Sequence, residues 1–307
     1  MILSICPNPS IDTYAWLSNF NKGEVNRIEK QKEYPGGKGT HIALALAELR
    51  TESKLMGNWA GNAGKWIKNA CEQKNVSITG VELSGSNRKC YTFRSSDPNF
   101  DNSELLETGP EMDKQYWKDF KNIFAQEIKK ASLVCMSGSW PKNASPWAYR
   151  QLIEITNNQN INVLLDCSGT QLTEALKIGF FGLHLNEHEA KDLCGSSDFD
   201  VLLDFLNGKV TLIALTKGKD GLELFYKNEI YKANIELENI ISSVGSGDCL
   251  TAGIAYAVSK GMNTKEIAGY GVACGAANCL NADLGMLKYS DVQKLLPKVK
   301  CKIIEND

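Results

Sequence analysis

The 307 residues are enough for one large domain or two modest ones, and the 43% of hydrophobic residues suffice for a sizeable core, which argues against disorder. The 34 basic and 36 acidic residues give a formal net charge of -2, and no run of Lys or Arg is long enough for a nucleic-acid track. No segment approaches the length of a membrane span, and the N-terminus turns polar too early for a signal peptide, so we expect a cytoplasmic protein that acts on small molecules.

Ten cysteines are spread along the chain without a CxxC pair. Several lie in apolar runs such as LVCMSG, where Cys behaves as a small hydrophobic residue in a reducing compartment, so we expect free thiols. His184 and His188 have the spacing of two zinc ligands on a helix, but Asn186 and the helix expected after it predict a bend, which disfavours a metal site.

Short apolar runs alternate with helical patterns along the chain. Strands are predicted at residues 2–6 and at ASLVCMSG, INVLLDCSG, GFFGLHLN and VTLIALTKG, with helices such as DKQYWKDFKNIFAQEIKK and SPWAYRQLIEITNNQN between them. This alternation is typical of parallel strands joined by crossover helices, so we expect an α/β fold with a doubly wound, mainly parallel sheet. The ligand then lies at the carboxyl ends of the strands, where SGSWP, DCSG, LNEHE and TKGKDG stand.

Two segments interrupt this alternation, at residues 13–35 and 86–108. Both combine partial alternation with turn residues, so we interpret each as a hairpin-like insertion and expect the two to form a small β-sheet lid over the site. Two plain surface loops are the alternative. No linker separates independent domains, so the prediction is a single domain over residues 1–307 with this discontinuous lid.

A glycine-rich turn, GGKG at residues 36–39, precedes an apolar helical run. Glycines admit close backbone approach, and Lys38 adds a cation suited to a phosphate. Neither GxxxxGK[ST] nor a GxGxxG after the first strand is present, so a nucleoside triphosphatase loop and a dinucleotide site are not predicted. A turn with a solvated lysine is an equal alternative.

A second glycine-rich turn, SSVGSGDC at residues 242–249, also precedes an apolar helical run. The N–H groups at a helix start attract anions, and Gly245 and Gly247 let a phosphate approach the backbone. Asp248 then either caps the helix or takes a proton from a hydroxyl that attacks a phosphoryl group. The octet alone favours the cap.

Nine motifs, taken in their order along the chain, decide whether Asp248 is a helix cap or a proton acceptor. They are NPSID at 8–12, GEVNR at 23–27, PGGKG at 35–39, ETGPE at 107–111, SGSWP at 137–141, LDCSG at 165–169, NEHE at 186–189, TKGKDG at 216–221 and SSVGSGD at 242–248. Together they resemble the ribokinase-like (PfkB) family of carbohydrate kinases, and within it the branch of 1-phosphofructokinases and tagatose-6-phosphate kinases. The resemblance runs from Asn8 to about Gly285 and implies a ribokinase-like fold with Asp248 as catalytic base.

The resemblance implies a role for each matching residue. Catalysis would rest on Asp248 and on the backbone N–H groups of Gly245, Ser246 and Gly247, which would stabilise the transferring phosphoryl group. The implied substrate-binding residues are Asp12, Gly36, Gly37, His41 and Ser139, with Arg27, Lys38 and Arg88 as cations for a phosphate already on the sugar. The implied nucleotide-binding residues are Asn186, Glu189, Thr216, Gly218, Gly221, Gly275 and Asn278, and Glu189 would also help to hold Mg²⁺, partly through water.

Several of these residues also have an ordinary structural interpretation. Arg27 and Arg88 are alternatively solvated surface residues of the lid. Asn186 and Glu189 are alternatively a helix cap and a first-turn acid. Ser139 alternatively makes the turn before the next proline.

The chain departs from the family pattern at several places, among them the helix after GGKG, which lacks the Arg that the family usually carries there. His41 replaces the usual Asn, which contacts the sugar in the family. Trp140 stands where the branch commonly has Leu, and LHLN at residues 183–186 lacks the usual KPN. These changes suggest a divergent member with an altered substrate preference.

The resemblance implies ATP- and Mg²⁺-dependent phosphorylation of a ketohexose monophosphate to a bisphosphate. Fructose 1-phosphate is the first choice, tagatose 6-phosphate the second and fructose 6-phosphate the third. A catalytically silent sugar-phosphate sensor is the alternative from another class, against which the intact GSGD argues. The exposed edges expected of the lid predict a homodimer formed through the lids, without a nucleic-acid or membrane partner.

Overall fold

The computed structural model describes residues 1–304. The strands are β1 (Ile2–Cys6), β2 (Ser10–Trp16), β3 (Lys30–Gly36), β4 (Ser53–Ala60), β5 (Ser77–Leu83), β6 (Arg88–Arg94), β7 (Glu104–Leu106), β8 (Leu133–Ser137), β9 (Val163–Asp166), β10 (Phe180–Asn186), β11 (Val210–Thr216), β12 (Leu222–Tyr226), β13 (Glu229–Asn234) and β14 (Lys300–Ile304). The α-helices are α1 (Lys38–Glu48), α2 (Gly61–Glu72), α3 (Lys114–Glu127), α4 (Ala148–Asn157), α5 (Gly169–Ala175), α6 (Glu187–Cys194), α7 (Phe199–Leu206), α8 (Ser246–Ser259), α9 (Thr264–Cys279) and α10 (Tyr289–Leu295).

The large sheet has ten strands in the order β14-β13-β12-β11-β10-β9-β8-β1-β4-β5. The seven strands from β11 to β5 in this order pair in parallel, and β12, β13 and β14 continue the sheet antiparallel at one edge. The predicted mainly parallel α/β fold is confirmed. After β1 the chain builds toward β5, and from β8 it builds in the opposite direction, so the topological switch lies beside β1, where such sheets bind ligands.

Helices cover both faces of this sheet. Along β1, Ile2 packs against the α1, α8 and α9 side, whereas Leu3 and Ile5 pack against the opposite side with α3 and α4. All five residues of β1 are buried, as are all those of β8 and β9. Burial on both faces explains why the sequences of these strands are nearly continuous apolar runs.

A separate four-stranded sheet, here called the lid, has the order β3-β2-β6-β7. Strand β2 pairs antiparallel with β3 and parallel with β6, and β6 pairs antiparallel with β7. The predicted small sheet is therefore confirmed, and the alternative of two plain loops is wrong. The lid begins slightly earlier than the interrupted segments, because β2 starts at Ser10.

The lid rests on two loops that flank the start of α8. Tyr14 and Tyr34 pack with Leu284, and the Tyr14 hydroxyl lies 2.8 Å from Oγ of Ser242. The Tyr34 hydroxyl donates to Asp283, 3.0 Å away, and burial raises the pKa of this tyrosine to about 12. The lid therefore contacts the body next to the GSGD helix.

None of the helices within residues 1–304 is long and apolar enough to cross a membrane. The ten cysteines are free thiols, seven of them buried.

Replacing Phe124 by Ala is predicted to destabilise the protein strongly. The ring on α3 is fully buried in the core, so its loss removes apolar burial and leaves a cavity that costs about 3–5 kcal/mol. Phe205→Ala, at a ring 39% exposed on α7, is the matched control and should cost less than about 1 kcal/mol. Urea unfolding measures both, and equal losses would contradict the described core.

Candidate active site

Helix α8 begins at a position that requires glycine. Gly245 precedes the helix in the left-handed conformation, with φ of 82°. A Cβ atom there would lie 2.5 Å from the Cα atom of Gly285, closer than such atoms approach each other in proteins. Both the conformation and the contact therefore exclude a side chain at position 245.

The start of α8 presents backbone N–H groups that no side chain caps. Ser246 donates its N–H to the Ser243 carbonyl, 3.1 Å away. Within residues 1–304, the N–H groups of Gly245, Gly247 and Asp248 have no such backbone acceptor. Unbonded N–H groups at a helix N-terminus are suited to binding a phosphate.

Asp248 lies in the first turn of α8 and is 7% exposed. Its Oδ2 atom is 2.7 Å from Nδ1 of His41, which belongs to α1. Because its carboxylate bonds His41 and not the helix start, the interpretation of Asp248 as an N-cap is wrong. A carboxylate and unbonded N–H groups thus share one helix start, which suits proton removal beside a phosphoryl group.

His41 also contacts Asp12, in lid strand β2. Its Nε2 atom lies 3.4 Å from Oδ2 of Asp12, an ion pair without hydrogen-bond geometry. Burial alone would lower the pKa of His41, but its contacts with the negative charges of Asp12 and Asp248 outweigh this and raise the pKa to about 10. One imidazolium therefore links the predicted sugar-binding aspartate with the predicted base.

Asp12 is held on its second oxygen as well. Ser10 donates its hydroxyl to Oδ1 of Asp12, 2.6 Å away. Burial alone would raise the pKa of Asp12, but the His41 contact and charge, together with the Ser10 bond, lower it. Gly36 makes room for this carboxylate, because a Cβ atom there would lie 2.0 Å from its carboxyl carbon.

Lys38, in the first turn of α1, lies beside two carboxylates. Its Nζ atom is 2.7 Å from Oδ1 of Asp166 and 3.5 Å from Oε1 of Glu189. The negative charge of Asp166 is the main cause that raises the pKa of Lys38, so the ammonium stays protonated. Lys38 is therefore an ion-pair partner inside the site, not a freely solvated lysine.

A buried polar network surrounds Asp166 at the end of β9. His184 Nδ1 lies 3.0 Å from Oδ2 of Asp166, and its Nε2 lies 3.2 Å from Oγ1 of Thr216. Thr251, on α8, donates its hydroxyl to the same Asp166 oxygen at 3.3 Å. Burial would raise the pKa of Asp166, but the charges of Lys38 and His184 lower it.

This network contains residues that the sequence analysis did not assign to the site. Asp166 stood in the LDCSG motif without a role, and Thr251 was one polar residue in an apolar helix. His184 was considered only with His188, but His184 is buried in β10 and His188 is exposed on α6, so they share no helix face. The sequence feature that could have identified them is an Asp and a His near the carboxyl ends of two successive apolar strands.

The predicted substrate-binding residues lie on the lid and on the loops beside it. Arg88 begins β6 and donates its Nε to the Asn8 carbonyl, 3.1 Å away. Gly37, with φ of 95°, joins β3 to α1. Arg27 is exposed between β2 and β3, and Ser139 is exposed after β8; neither of their side chains contributes to the ion pairs and hydrogen bonds described above.

The predicted nucleotide-binding residues lie at the ends of β10 and β11 and on α9. Asn186 and Glu189 form a capping box at α6, each side chain bonding the other's backbone N–H at 2.9 Å. Thr216 ends β11, and Gly218 and Gly221 form the turn after it, both with positive φ. These residues thus flank one edge of the large sheet.

Gly275 and Asn278 are both buried on α9. A Cβ atom at Gly275 would lie 3.1 Å from the Ser246 carbonyl oxygen, so this glycine lets α9 pack against the start of α8. The Asn278 amide donates to the Met286 carbonyl at 2.9 Å and holds the loop that contains Gly285. Both residues support the start of α8, and their roles toward a nucleotide stay predictions.

Magnesium fits this site only as an ion that arrives with phosphates. Within residues 1–304, no three His, Cys, Asp or Glu side chains form a metal-binding group. Mg²⁺ usually keeps several waters and binds one or two carboxylates together with substrate phosphates. Glu189 is partly exposed beside Lys38, which fits a water-mediated contact to such an ion.

Comparison with known proteins identifies relatives over nearly the whole chain. Residues 4–286 match the model of the pfkB family carbohydrate kinases. A relative from Bacillus subtilis named 1-phosphofructokinase is 29% identical over 98% of this chain and 99% of its own length.

Solved structures share the fold over most of the chain. Phosphofructokinase-2 from Escherichia coli in complex with fructose-6-phosphate has a TM-score of 0.86 at 20% identity, covering 96% of this chain and 98% of that one. A carbohydrate kinase from Agrobacterium tumefaciens has a TM-score of 0.80 at 18% identity, covering 99% of both chains.

The stability of the protein is predicted to depend on pH through His41. Its pKa is about 10 in the folded protein and 6.5 as the ordinary value. The stabilisation by its contacts is therefore fully present below about pH 6.5 and is lost toward about pH 10, by at most about 1.4 kcal/mol per pH unit.

The difference in free energy of unfolding between the wild type and His41→Asn isolates this effect, because other titrating groups are common to both proteins. Urea unfolding across this pH range should show a shrinking advantage of the wild type. A difference independent of pH would contradict the raised pKa.

Proposed function

The chain belongs to the pfkB family of carbohydrate kinases, and we propose that within this family it transfers the γ-phosphoryl group of ATP to a ketohexose monophosphate. The family predicted from the nine motifs is confirmed, and the protein is a phosphotransferase with an alcohol acceptor. The product would be a sugar bisphosphate. The observation that carries the proposal is Asp248 beside the unbonded N–H groups at the start of α8.

In the proposed reaction, Asp248 takes the proton from the acceptor hydroxyl of the sugar. The hydroxyl oxygen then forms a bond to the γ-phosphorus while the bond to the ADP oxygen breaks. The unbonded backbone N–H groups of Gly245 and Gly247 stabilise negative charge on the transferring group, whereas the Ser246 N–H is bonded to the Ser243 carbonyl. When bound with ATP, Mg²⁺ supplies positive charge to the phosphate oxygens.

The proposed contacts to the substrates lie at two ends of the site, a sugar end and a nucleotide end. Asp12 binds sugar hydroxyls, and Arg27 and Arg88 bind the phosphate already on the sugar, together with Lys38. The ion pairs of Lys38 with Asp166 and Glu189 also place this lysine beside the residue proposed to contact Mg²⁺. Lys38 thus lies between the sugar end and the nucleotide end.

Fructose 1-phosphate is our first choice of substrate, supported by the name of the Bacillus subtilis relative. Tagatose 6-phosphate and fructose 6-phosphate are the alternatives within the family. We include fructose 6-phosphate among the substrates to be tested because Escherichia coli phosphofructokinase-2, which shares the fold, has been solved in complex with fructose-6-phosphate. Ten free cysteines agree with a reducing compartment, so the proposed location is cytoplasmic.

We also propose that two copies associate through their lids. The outer strand β7 has only three residues, and its Leu105 and Leu106 are 62% and 60% exposed. Val25, in the lid loop, is 80% exposed. Exposed apolar residues next to an open sheet edge favour pairing with a second copy.

Asp248→Asn is predicted to lower kcat by at least about 100-fold, because it removes the proton acceptor and keeps the shape of the side chain. ADP release with Mg·ATP and each of the three phosphosugars measures this. The dissociation constant of the sugar phosphate, from calorimetry, should change little. Binding without turnover by the wild type on the whole panel would contradict the kinase proposal and favour the sensor.

The double variant Leu105→Glu and Leu106→Glu is predicted to be monomeric, because four like charges would face each other across paired lids. Light scattering after size exclusion measures the mass. Val201→Glu, at a partly exposed apolar residue on α7, is the matched control and should stay dimeric. A wild type that is monomeric at micromolar concentration, or a double variant that still dimerises, would overturn the proposed interface.

A further inference from the structure

His41 occupies a fixed position between the two carboxylates of the site. The residue is 4% exposed. A Cβ atom on Gly285 would lie 2.3 Å from two carbon atoms of its ring, so the loop backbone packs directly against the imidazole. The ring therefore has no room to turn away from Asp248 and Asp12.

Each of the two ring nitrogens faces one of these carboxylates. Nδ1 bonds Oδ2 of Asp248 at 2.7 Å, and Nε2 faces Oδ2 of Asp12 at 3.4 Å. A neutral imidazole has only one N–H, so one nitrogen lone pair would then face a carboxylate oxygen. A ring that is protonated on both nitrogens suits both contacts.

We propose that His41 is a positioning residue which holds Asp248 and Asp12 with one protonated ring, so that Oδ1 of Asp248 is the oxygen that accepts the substrate proton. This proposal rests on the proposed kinase function. Within residues 1–304, no hydrogen bond from another group occupies Oδ1 of Asp248, whereas Oδ2 bonds His41. The geometry thus distinguishes the two oxygens of the base.

His41 itself does not take part in proton transfer. Since both ring nitrogens already carry protons, the ring has no lone pair to accept another. The proton moves from the sugar hydroxyl to Oδ1 of Asp248 as the new oxygen–phosphorus bond forms and the bond to ADP breaks. His41 keeps both protons, and its positive charge offsets the two neighbouring carboxylates.

The surrounding charges agree with this arrangement. Asp12 faces the ring from β2, and Asp248 faces it from α8. The nearest cations act on these same carboxylates: Arg88 on β6 lowers the pKa of Asp12, and Lys38 on α1 interacts with the charge of Asp248. The raised pKa of His41, about 10, indicates that the two carboxylates outweigh these cations.

The same contacts bear on substrate recognition. His41 has no donor that a sugar hydroxyl can reach, because Nδ1 bonds Asp248 and Nε2 is buried against Asp12. Asp12 is held by Ser10 on one side and faces His41 on the other, so it is already oriented when the sugar arrives. Recognition of that part of the sugar therefore falls to Asp12, and His41 acts through it.

The first test reads the protonation of the ring directly, without an activity measurement. The chain has three histidines, so nitrogen-15 NMR of histidine-labelled protein is simple to assign with His41→Asn and His188→Asn. We expect the His41 nitrogens to keep imidazolium shifts from pH 6 to pH 9. A His41 signal that becomes neutral near pH 6.5 would overturn the proposal.

The second test separates positioning from a purely structural role. His41→Asn and His41→Gln remove the charge, and each should lower kcat by up to roughly 100-fold. The KM for the phosphosugar should change by less than about threefold. The alkaline fall of wild-type kcat near pH 10 should be absent from both variants, and melting temperatures check that the variants are folded at the assay temperature.

The outcomes distinguish this proposal from the proposed function. Folded variants with wild-type kcat would overturn the positioning role, even if the ring is protonated, and would leave the kinase intact. An unchanged kcat with a raised KM would do the same, because it would assign His41 to sugar binding. Silence of the wild type on every phosphosugar would remove the kinase function and the positioning of its base together.

Discussion

The close contact between Gly245 and Gly285 determines where helix α8 begins, and the site depends on that position. The contact brings the loop after α9 against the start of α8, and Asn278 holds the same loop through the Met286 carbonyl. The first turn of α8 then carries Asp248 inward. Because the same Gly285 packs on His41, one backbone contact places both the proposed base and its charged partner.

Charge balance explains why the carboxylates of the site can be buried. Asp248 and Asp12 share His41, and Asp166 and Glu189 share Lys38. Each cation is therefore already matched by carboxylates, at distances where removing one partner would leave a buried charge uncompensated. In the proposed reaction, the negative charge of the incoming phosphates is offset by Lys38 together with groups that are not paired with these carboxylates: the unbonded N–H groups of α8, the lid arginines and an ion that arrives with ATP.

The sequence predicts the fold of this protein better than the arrangement of residues in its candidate site. Buried parallel strands such as β8 and β9 are apolar up to their last residue, and the lid segments combine partial alternation with turn residues, so both patterns can be detected locally. The grouping of Asp166, His184 and Thr251 cannot, because three distant elements bring them together. The sequence predicts His41 only as a substrate-binding residue that departs from the family pattern. Its bridging position follows from the packing of α1 against α8, which no local pattern reveals.

We propose that this site transfers phosphate from ATP to a sugar that already carries one. Phosphorus-31 NMR of a mixture of the protein, Mg·ATP and fructose 1-phosphate tests it most directly, because it observes the product itself. We expect a new phosphomonoester signal that grows in equal amount with ADP, beside the retained signal of the original phosphate. Growth of ADP with free inorganic phosphate and no second sugar phosphate, for this substrate and its two alternatives, would contradict it.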